Sequence, residues 1–82
     1  MDDPEIVALL GAIDEQINSS ETPYVKETFQ ELIRQDDINE EEARYMIAFC
    51  LADEIEKLEQ ENRAFDSNRY QTLLKLLPHL PE

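Results

Sequence analysis

The most reactive side chains in this sequence belong to its single cysteine and its single histidine. A lone cysteine cannot form an internal disulfide, and it falls far short of a zinc site. Cys50 lies in an apolar run, Tyr45 to Ala52. We therefore expect a small buried hydrophobe rather than a reactive thiolate. The histidine, His79, sits in a Pro-flanked tail, so the Glu-x-x-His pairs of a di-iron bundle cannot be written.

The acidic stretch before the third helix suggests a calcium loop, but its spacing disfavours one. Ile38 and Glu42 match the central apolar residue and the final Glu of an EF-hand loop. The first, third and fifth ligand positions then fall on Glu31, Ile33 and Gln35, and two of these cannot serve as charged ligands. The single glycine also precludes a Gly-rich phosphate loop. We therefore predict a non-enzymatic protein with no catalytic residue, no metal and no cofactor.

Glu54 is a carboxylate that the helical pattern places on a core-facing side, beside Ile47 and Leu51. A buried carboxylate is costly unless it is paired or protonated. One interpretation is a tuned acid or a ligand. The favoured alternative is simple exposure at the end of the bundle or an ion pair with one of three arginines: Arg44, Arg63 or Arg69.

Four helices must position these residues. The sequence has one glycine and few β-branched residues outside Ile, which favours helices over a β-sandwich. The predicted helices cover residues 4–18, 23–35, 40–61 and 67–77. We expect a single domain, residues 1–82, with an all-α fold: a small four-helix antiparallel bundle whose long third helix is the central spine.

Each predicted helix has its own start signal. Asp3-Pro4 and Thr22-Pro23 combine a capping residue with proline at the first helical position. Asn39 and Glu42 have the spacing of a capping box. Asp66 is expected to cap the fourth helix, and we expect the preceding Phe65 to pack onto that helix as a hydrophobic staple.

The first half of the third helix is apolar around its whole circumference. Ile47 and Leu51 lie on one side, whereas Tyr45, Phe49 and Ala52 lie nearly opposite. Such a helix must be covered on both sides. Either the other three helices surround it, or a second molecule covers the face of Tyr45, Phe49 and Ala52.

The chain carries 20 acidic residues against 7 basic ones, a formal net charge of −13. This charge repels nucleic acids and anionic membranes, so neither is an expected partner. Most of it lies in residues 1–21 and 36–62. Helix starts account for part of it, and the unexplained surplus lies at Asp53, Glu54, Glu56, Glu59 and Glu61. The N-terminus has neither the basic start nor the apolar stretch of a secretory signal, so we expect a cytoplasmic protein.

These observations favour a protein–protein interaction module that binds a partner protein or a second copy, with no specific small-molecule ligand. The predicted interaction surface consists of Tyr45, Phe49, Ala52, Asp53, Glu56 and Glu59. The alternative is an acidic inhibitor that imitates DNA phosphates and binds a nucleic-acid-binding protein.

A pattern of core and capping residues extends over about residues 22–81. It consists of Leu32, Glu42-Ala43, Ile47, Leu51, Glu54, Phe65-Asp66, Arg69-Tyr70 and Leu77-Pro78. In this pattern the chain resembles a family of small, uncharacterised bacterial all-helical proteins. Family members often have His-Glu-Ala where this chain has Glu41-Glu42-Ala43, so no role of that His carries over. The resemblance implies a bacterial helical domain and no particular activity.

Overall fold

The computed structural model describes residues 3–81, and within that range the chain forms four α-helices and no β-strand. The helices are α1 (Pro4–Ile17), α2 (Pro23–Ile33), α3 (Glu40–Glu61) and α4 (Ser67–Lys75). Met1, Asp2 and Glu82, which the predicted domain and charge segments include, lie outside the described residues. The prediction of a small all-α bundle whose third helix is the longest is confirmed.

The bounds of α3 agree with the prediction at both ends, whereas the other three helices end one or two residues earlier than expected. The difference is largest at α2 and α4. After Lys75, the N–H groups of Leu76 and Leu77 donate to carbonyls three residues back instead of four. This tighter bonding ends the α-helical ladder ahead of Pro78, where the sequence pattern extends it to residue 77.

Three predicted helix starts are confirmed by their side-chain hydrogen bonds. Asp3 accepts from the Glu5 N–H at 3.0 Å, and Asp66 accepts from the first turn of α4. The capping box is complete, since Asn39 accepts from the Glu42 N–H at 2.8 Å and the Glu42 side chain accepts in return from the Asn39 N–H. These bonds satisfy backbone donors that the first helical turn leaves free.

The expectation that Thr22 caps α2 is wrong. Its side chain accepts no capping hydrogen bond, and its hydroxyl instead donates to the Gln16 carbonyl at 2.8 Å. This bond ties the start of α2 to the last turn of α1. Pro23 still occupies the first turn of α2, where its missing N–H costs nothing.

Helix α3 contacts each of the other three helices and contributes about half of the buried core. It runs antiparallel to α1, because Asp14 near the end of α1 binds Arg44 near the start of α3, whereas Glu5 and Gln60 at the opposite ends line the same groove. The buried apolar residues are Ile6, Ile13, Val25, Leu32, Ile38, Ala43, Ile47, Ala48, Cys50, Leu51, Tyr70 and Leu74.

Tyr70 ties α4 to α1 and α2. Its ring is buried, and its hydroxyl donates to the Gln16 side-chain oxygen at 2.7 Å. Tyr24 and Phe65 approach the ring edge-on, with centroids 6.1 and 5.6 Å away. The Phe65 contact joins the residue before the α4 cap to the fourth helical residue, so the predicted staple is confirmed.

Gly11 is an exposed residue in the middle of α1, and a methyl group built there would have no neighbour within 4 Å. Glycine in a helix interior costs about 0.5–1 kcal/mol relative to alanine. We expect Gly11→Ala to raise the free energy of unfolding by about that amount, measured by urea denaturation. The reverse change at a nearby exposed position, Ala8→Gly, should lower it by a similar amount. An unchanged or lower stability of Gly11→Ala would contradict the assignment of α1 as a continuous helix.

Candidate functional site

Glu54 is completely buried on α3, and its carboxylate accepts four hydrogen bonds. The donors are the Arg63 and Arg69 side chains and the Asp66 backbone N–H. Each carboxylate oxygen receives two of these bonds, so the acceptor capacity of the group is filled. The predicted alternative of simple exposure at the end of the bundle is therefore wrong.

Arg63 binds the Glu54 carboxylate through both of its terminal nitrogens. Nη1 lies 2.7 Å from Oε2, and Nη2 lies 3.1 Å from Oε1, which is the strong two-point geometry of arginine–carboxylate pairs. The chain returns toward Glu54 because Asn62, the residue after α3, adopts the left-handed conformation with a φ of 51°. Asparagine tolerates this conformation better than most residues, and here it directs the next residue back along the helix.

Arg69 links the same carboxylate to α4. Its Nη1 donates to Glu54 at 2.9 Å and its Nη2 donates to Asp53 at 2.6 Å. Arg63 similarly binds Glu61 through Nε at 2.6 Å. Together these bonds join the C-terminal half of α3 to α4 and to the link between the two helices, residues 62–66. We call this group of five charged side chains the Glu54 cluster: Asp53, Glu54, Glu61, Arg63 and Arg69.

The pKa of Glu54 is lowered from 4.5 to about 2, chiefly by the hydrogen bonds from Arg63, which outweigh the opposite effect of burial. The hydrogen bonds from the Asp66 N–H and from Arg69 contribute to the same lowering. Glu54 is therefore ionised at neutral pH and fully engaged. Of the interpretations open from the sequence, the ion pair is confirmed, with Arg63 and Arg69 as partners. Arg44 is not a partner, because it binds Asp14 on α1 at 2.8 and 3.0 Å.

Cys50 has the environment of a core residue, as the sequence predicts. The side chain is completely buried, and this burial, with a smaller effect of the Asp53 charge, raises the pKa of the thiol from 9.0 to about 12. The thiol is protonated at neutral pH, whereas nucleophilic cysteines need an accessible thiolate. Across residues 3–81, no three His, Cys, Asp or Glu side chains lie together as a metal-binding group.

A groove lies on the seam between α1 and the C-terminal half of α3. It has a volume of about 560 Å³. Its floor is apolar, formed by the half-buried Leu9, Ala52 and Ile55. We call it the α1–α3 groove, and it is lined by Glu5, Leu9, Ala52, Ile55, Glu56, Glu59 and Gln60.

A second groove of about 590 Å³ shares Glu5, Ala52, Glu56 and Gln60 with the first and extends to α4. Its lining includes Phe49 and Asp53, so five of the six predicted surface residues line one groove or the other. It differs from the α1–α3 groove because cationic side chains, Lys57 and Arg69, also line it.

Tyr45 lines neither of these two grooves. It is half-buried and lies beside Phe49, with ring centroids 6.5 Å apart. Asp53 lines the second groove, but its carboxylate is engaged with Arg69. Sequence reasoning did not select Glu5, Leu9, Ile55 and Gln60. The α3 lining of the α1–α3 groove could have been identified from the sequence, because its residues recur at spacings of three and four and so share one face of the helix: Ala52, Ile55, Glu56, Glu59 and Gln60.

No family model, curated protein or solved structure matches the chain. Its resemblance to uncharacterised bacterial helical proteins therefore stays a prediction. Within the described residues, no helix combines the length and the apolar character that crossing a bilayer requires.

Glu54→Gln removes the buried negative charge while it preserves the shape of the side chain. We expect it to lower the free energy of unfolding by about 3 kcal/mol, because breaking a buried ion pair leaves its partners without compensation. Chemical denaturation measures the change. The matched control Glu59→Gln, an exposed glutamate on the same helix, should change stability by no more than about 0.5 kcal/mol. Unchanged or improved stability of Glu54→Gln would exclude a structural ion pair.

The contribution of Glu54 should also depend on pH. Its pKa in the folded protein, about 2, lies below the ordinary 4.5, so the unfolded chain takes up its proton first as the pH falls. The stability difference between wild type and Glu54→Gln should therefore be constant above pH 4.5 and should shrink as the pH falls toward about 2. Denaturation curves of both proteins across this range measure the difference. The contributions of the other carboxylates are common to both proteins and largely cancel. A difference that grows as the pH falls would contradict the lowered pKa.

Proposed function

We propose that this chain is a non-enzymatic protein–protein interaction module of the cytoplasm. It binds another protein, or a second copy of itself, through the surface between α1 and the C-terminal half of α3. The observation that supports this proposal is the α1–α3 groove, in which an apolar floor lies beneath an acidic rim. Apolar surface supplies affinity when it is covered, and rim charges select the partner.

The two groups most suited to catalysis, the Glu54 carboxylate and the Cys50 thiol, are buried inside the fold. Their burial supports a binding role over catalysis. The carboxylate of Glu54 is filled by its donors, and the thiol of Cys50 is buried and protonated. Catalytic residues must instead reach a substrate. The free thiol of Cys50 also fits a reducing compartment.

The acidic surplus on α3 divides into two groups with different environments. Asp53, Glu54 and Glu61 pair with arginines in the Glu54 cluster. Glu56 and Glu59 are exposed, and no Lys or Arg among residues 3–81 pairs with them. The unpaired acidic charge in the C-terminal half of α3 thus lies on the rim of the α1–α3 groove, where it can act on a partner.

The alternative function, an acidic inhibitor that imitates DNA phosphates, is supported by the net charge of −13. Phosphate imitation uses a charged surface and has no need of an apolar floor. The half-buried Leu9, Ala52 and Ile55 therefore favour the interaction module.

Charge reversal on the groove rim tests the proposed function. Glu56→Lys should lose the proteins that wild type retains in quantitative affinity purification from a cell lysate, because Glu56 lines both grooves. Its matched control is Glu15→Lys, which reverses an exposed helical glutamate that lines neither groove and should retain them. Circular dichroism should show that both variants fold.

Sedimentation of wild type over a dilution series tests the second copy as the partner. A dimer that Glu56→Lys abolishes would assign this surface to self-association. If Glu56→Lys retains the same partners and the same mass as wild type, the proposed surface is not the binding surface.

A further inference from the structure

We propose that the occupant of the α1–α3 groove is a basic amphipathic helix of a partner protein. This inference rests on the proposed function, because it names the chemistry of the partner at the same surface. The groove geometry determines the shape of the occupant, and the charge of its rim determines the composition.

The groove is the trough between two antiparallel helices, and its lining on α3 runs from Ala52 to Gln60. That stretch spans about two helical turns, roughly 12 Å. A third helix laid in the trough meets the floor with residues spaced at i, i+3, i+4 and i+7. Within the chain itself, α2 already packs against both α1 and α3, so this helix pair can accommodate a third helix.

The rim of the groove requires a positively charged occupant. Glu5, Glu56 and Glu59 supply three carboxylates, and among residues 3–81 no Lys or Arg lines the groove. A helix with Lys or Arg on both sides of its apolar stripe places cations against this rim, whereas acidic flanks would be repelled. The second groove carries its own cations, Lys57 and Arg69, and it lacks this one-sided charge.

The floor requires an apolar stripe as well as charge. Leu9, Ala52 and Ile55 are only partly buried in the isolated chain. A partner segment that carried only positive charge would leave these side chains in water. Covering them adds apolar burial to the electrostatic attraction, so an amphipathic helix fits better than a purely basic segment.

A second copy of the chain fits this groove poorly. The chain carries a net charge of −13, so two copies repel each other. The C-terminal segment is its most basic part, but Arg63 and Arg69 are already bound in the Glu54 cluster. The remaining exposed lysines do not flank an apolar stripe on any one helix of residues 3–81.

The test measures binding of labelled peptides to the full chain by fluorescence anisotropy. The probe is an amidated peptide of about 18 residues, long enough to form a helix, with Leu at i, i+3, i+4 and i+7 and Lys elsewhere. One control peptide has the same composition in an order without the stripe, and the other has Glu in place of Lys. We expect the probe to bind and the acidic peptide not to bind. The reordered peptide should bind about tenfold or more weakly, because it cannot cover the floor.

Charge-reversal variants locate the binding, and Glu59→Lys should weaken it because Glu59 lines only the α1–α3 groove, whereas Glu56 lines both grooves. Glu56→Lys should weaken probe binding about tenfold, because two units of rim charge change, while Glu15→Lys should leave it nearly unchanged. Equal binding of the probe and the reordered peptide would overturn the amphipathic helix as occupant. So would a wild-type dimer that covers the groove and that Glu56→Lys abolishes.

These outcomes separate the inference from the function on which it rests. If the probe fails to bind while Glu56→Lys still loses its cellular partners, the basic helix is wrong and the interaction module stands. If Glu56→Lys loses neither partners nor probe, both proposals fail.

Discussion

The burial of one carboxylate constrains the whole C-terminal half of this protein. An ionised Glu54 in the interior is tolerable only if donors replace the water it has lost, and four hydrogen bonds do so. The donors come from the link after α3 and from the first turn of α4, so neither segment can move away without exposing an uncompensated charge. The position of α4, and with it the burial of Tyr70, depends on this interaction.

The Glu54 cluster also changes the meaning of the acidity of α3. From the sequence, the acidic residues of its second half form a single surplus of negative charge. In the structure, Asp53, Glu54 and Glu61 turn toward two arginines and hold the bundle together, whereas Glu56 and Glu59 face outward beside an apolar floor. One helix therefore carries a stabilising side and a free acidic side. Changes on the outer side can alter the charge of the surface with little effect on the fold.

Local signals made the fold readable from the sequence. The capping box of Asn39 and Glu42 gave the start of α3, and the apolar spacing gave its buried face, because both depend on residues within a turn or two. The same spacing placed Glu54 in the core and limited its partners to three arginines. The choice among those arginines depends on the left-handed turn at Asn62 and on the docking of α1, which removes Arg44. Pattern analysis of a single segment includes neither.

Contacts between distant segments account for the remaining differences. The Thr22 hydroxyl serves α1 rather than its own helix, and the Tyr70 hydroxyl binds a glutamine 54 residues earlier in the chain. The α1–α3 groove has the same origin, since it exists only where two helices meet. The acidic and half-buried residues of α3 are visible in the sequence, but the trough also needs Glu5 and Leu9 from the other end of the chain.

The short reach of the Glu54 cluster has a consequence for the order of folding. The bonds to Glu54 and Asp53 in this cluster span 9 to 16 residues, whereas the Arg44–Asp14 pair that docks α1 spans 30. Closing a shorter loop costs less chain entropy, and contacts close in sequence form faster. The α3–α4 hairpin can thus assemble as an early unit, and α1 completes the core afterwards. The groove is created in that last step, so only the fully folded chain presents it.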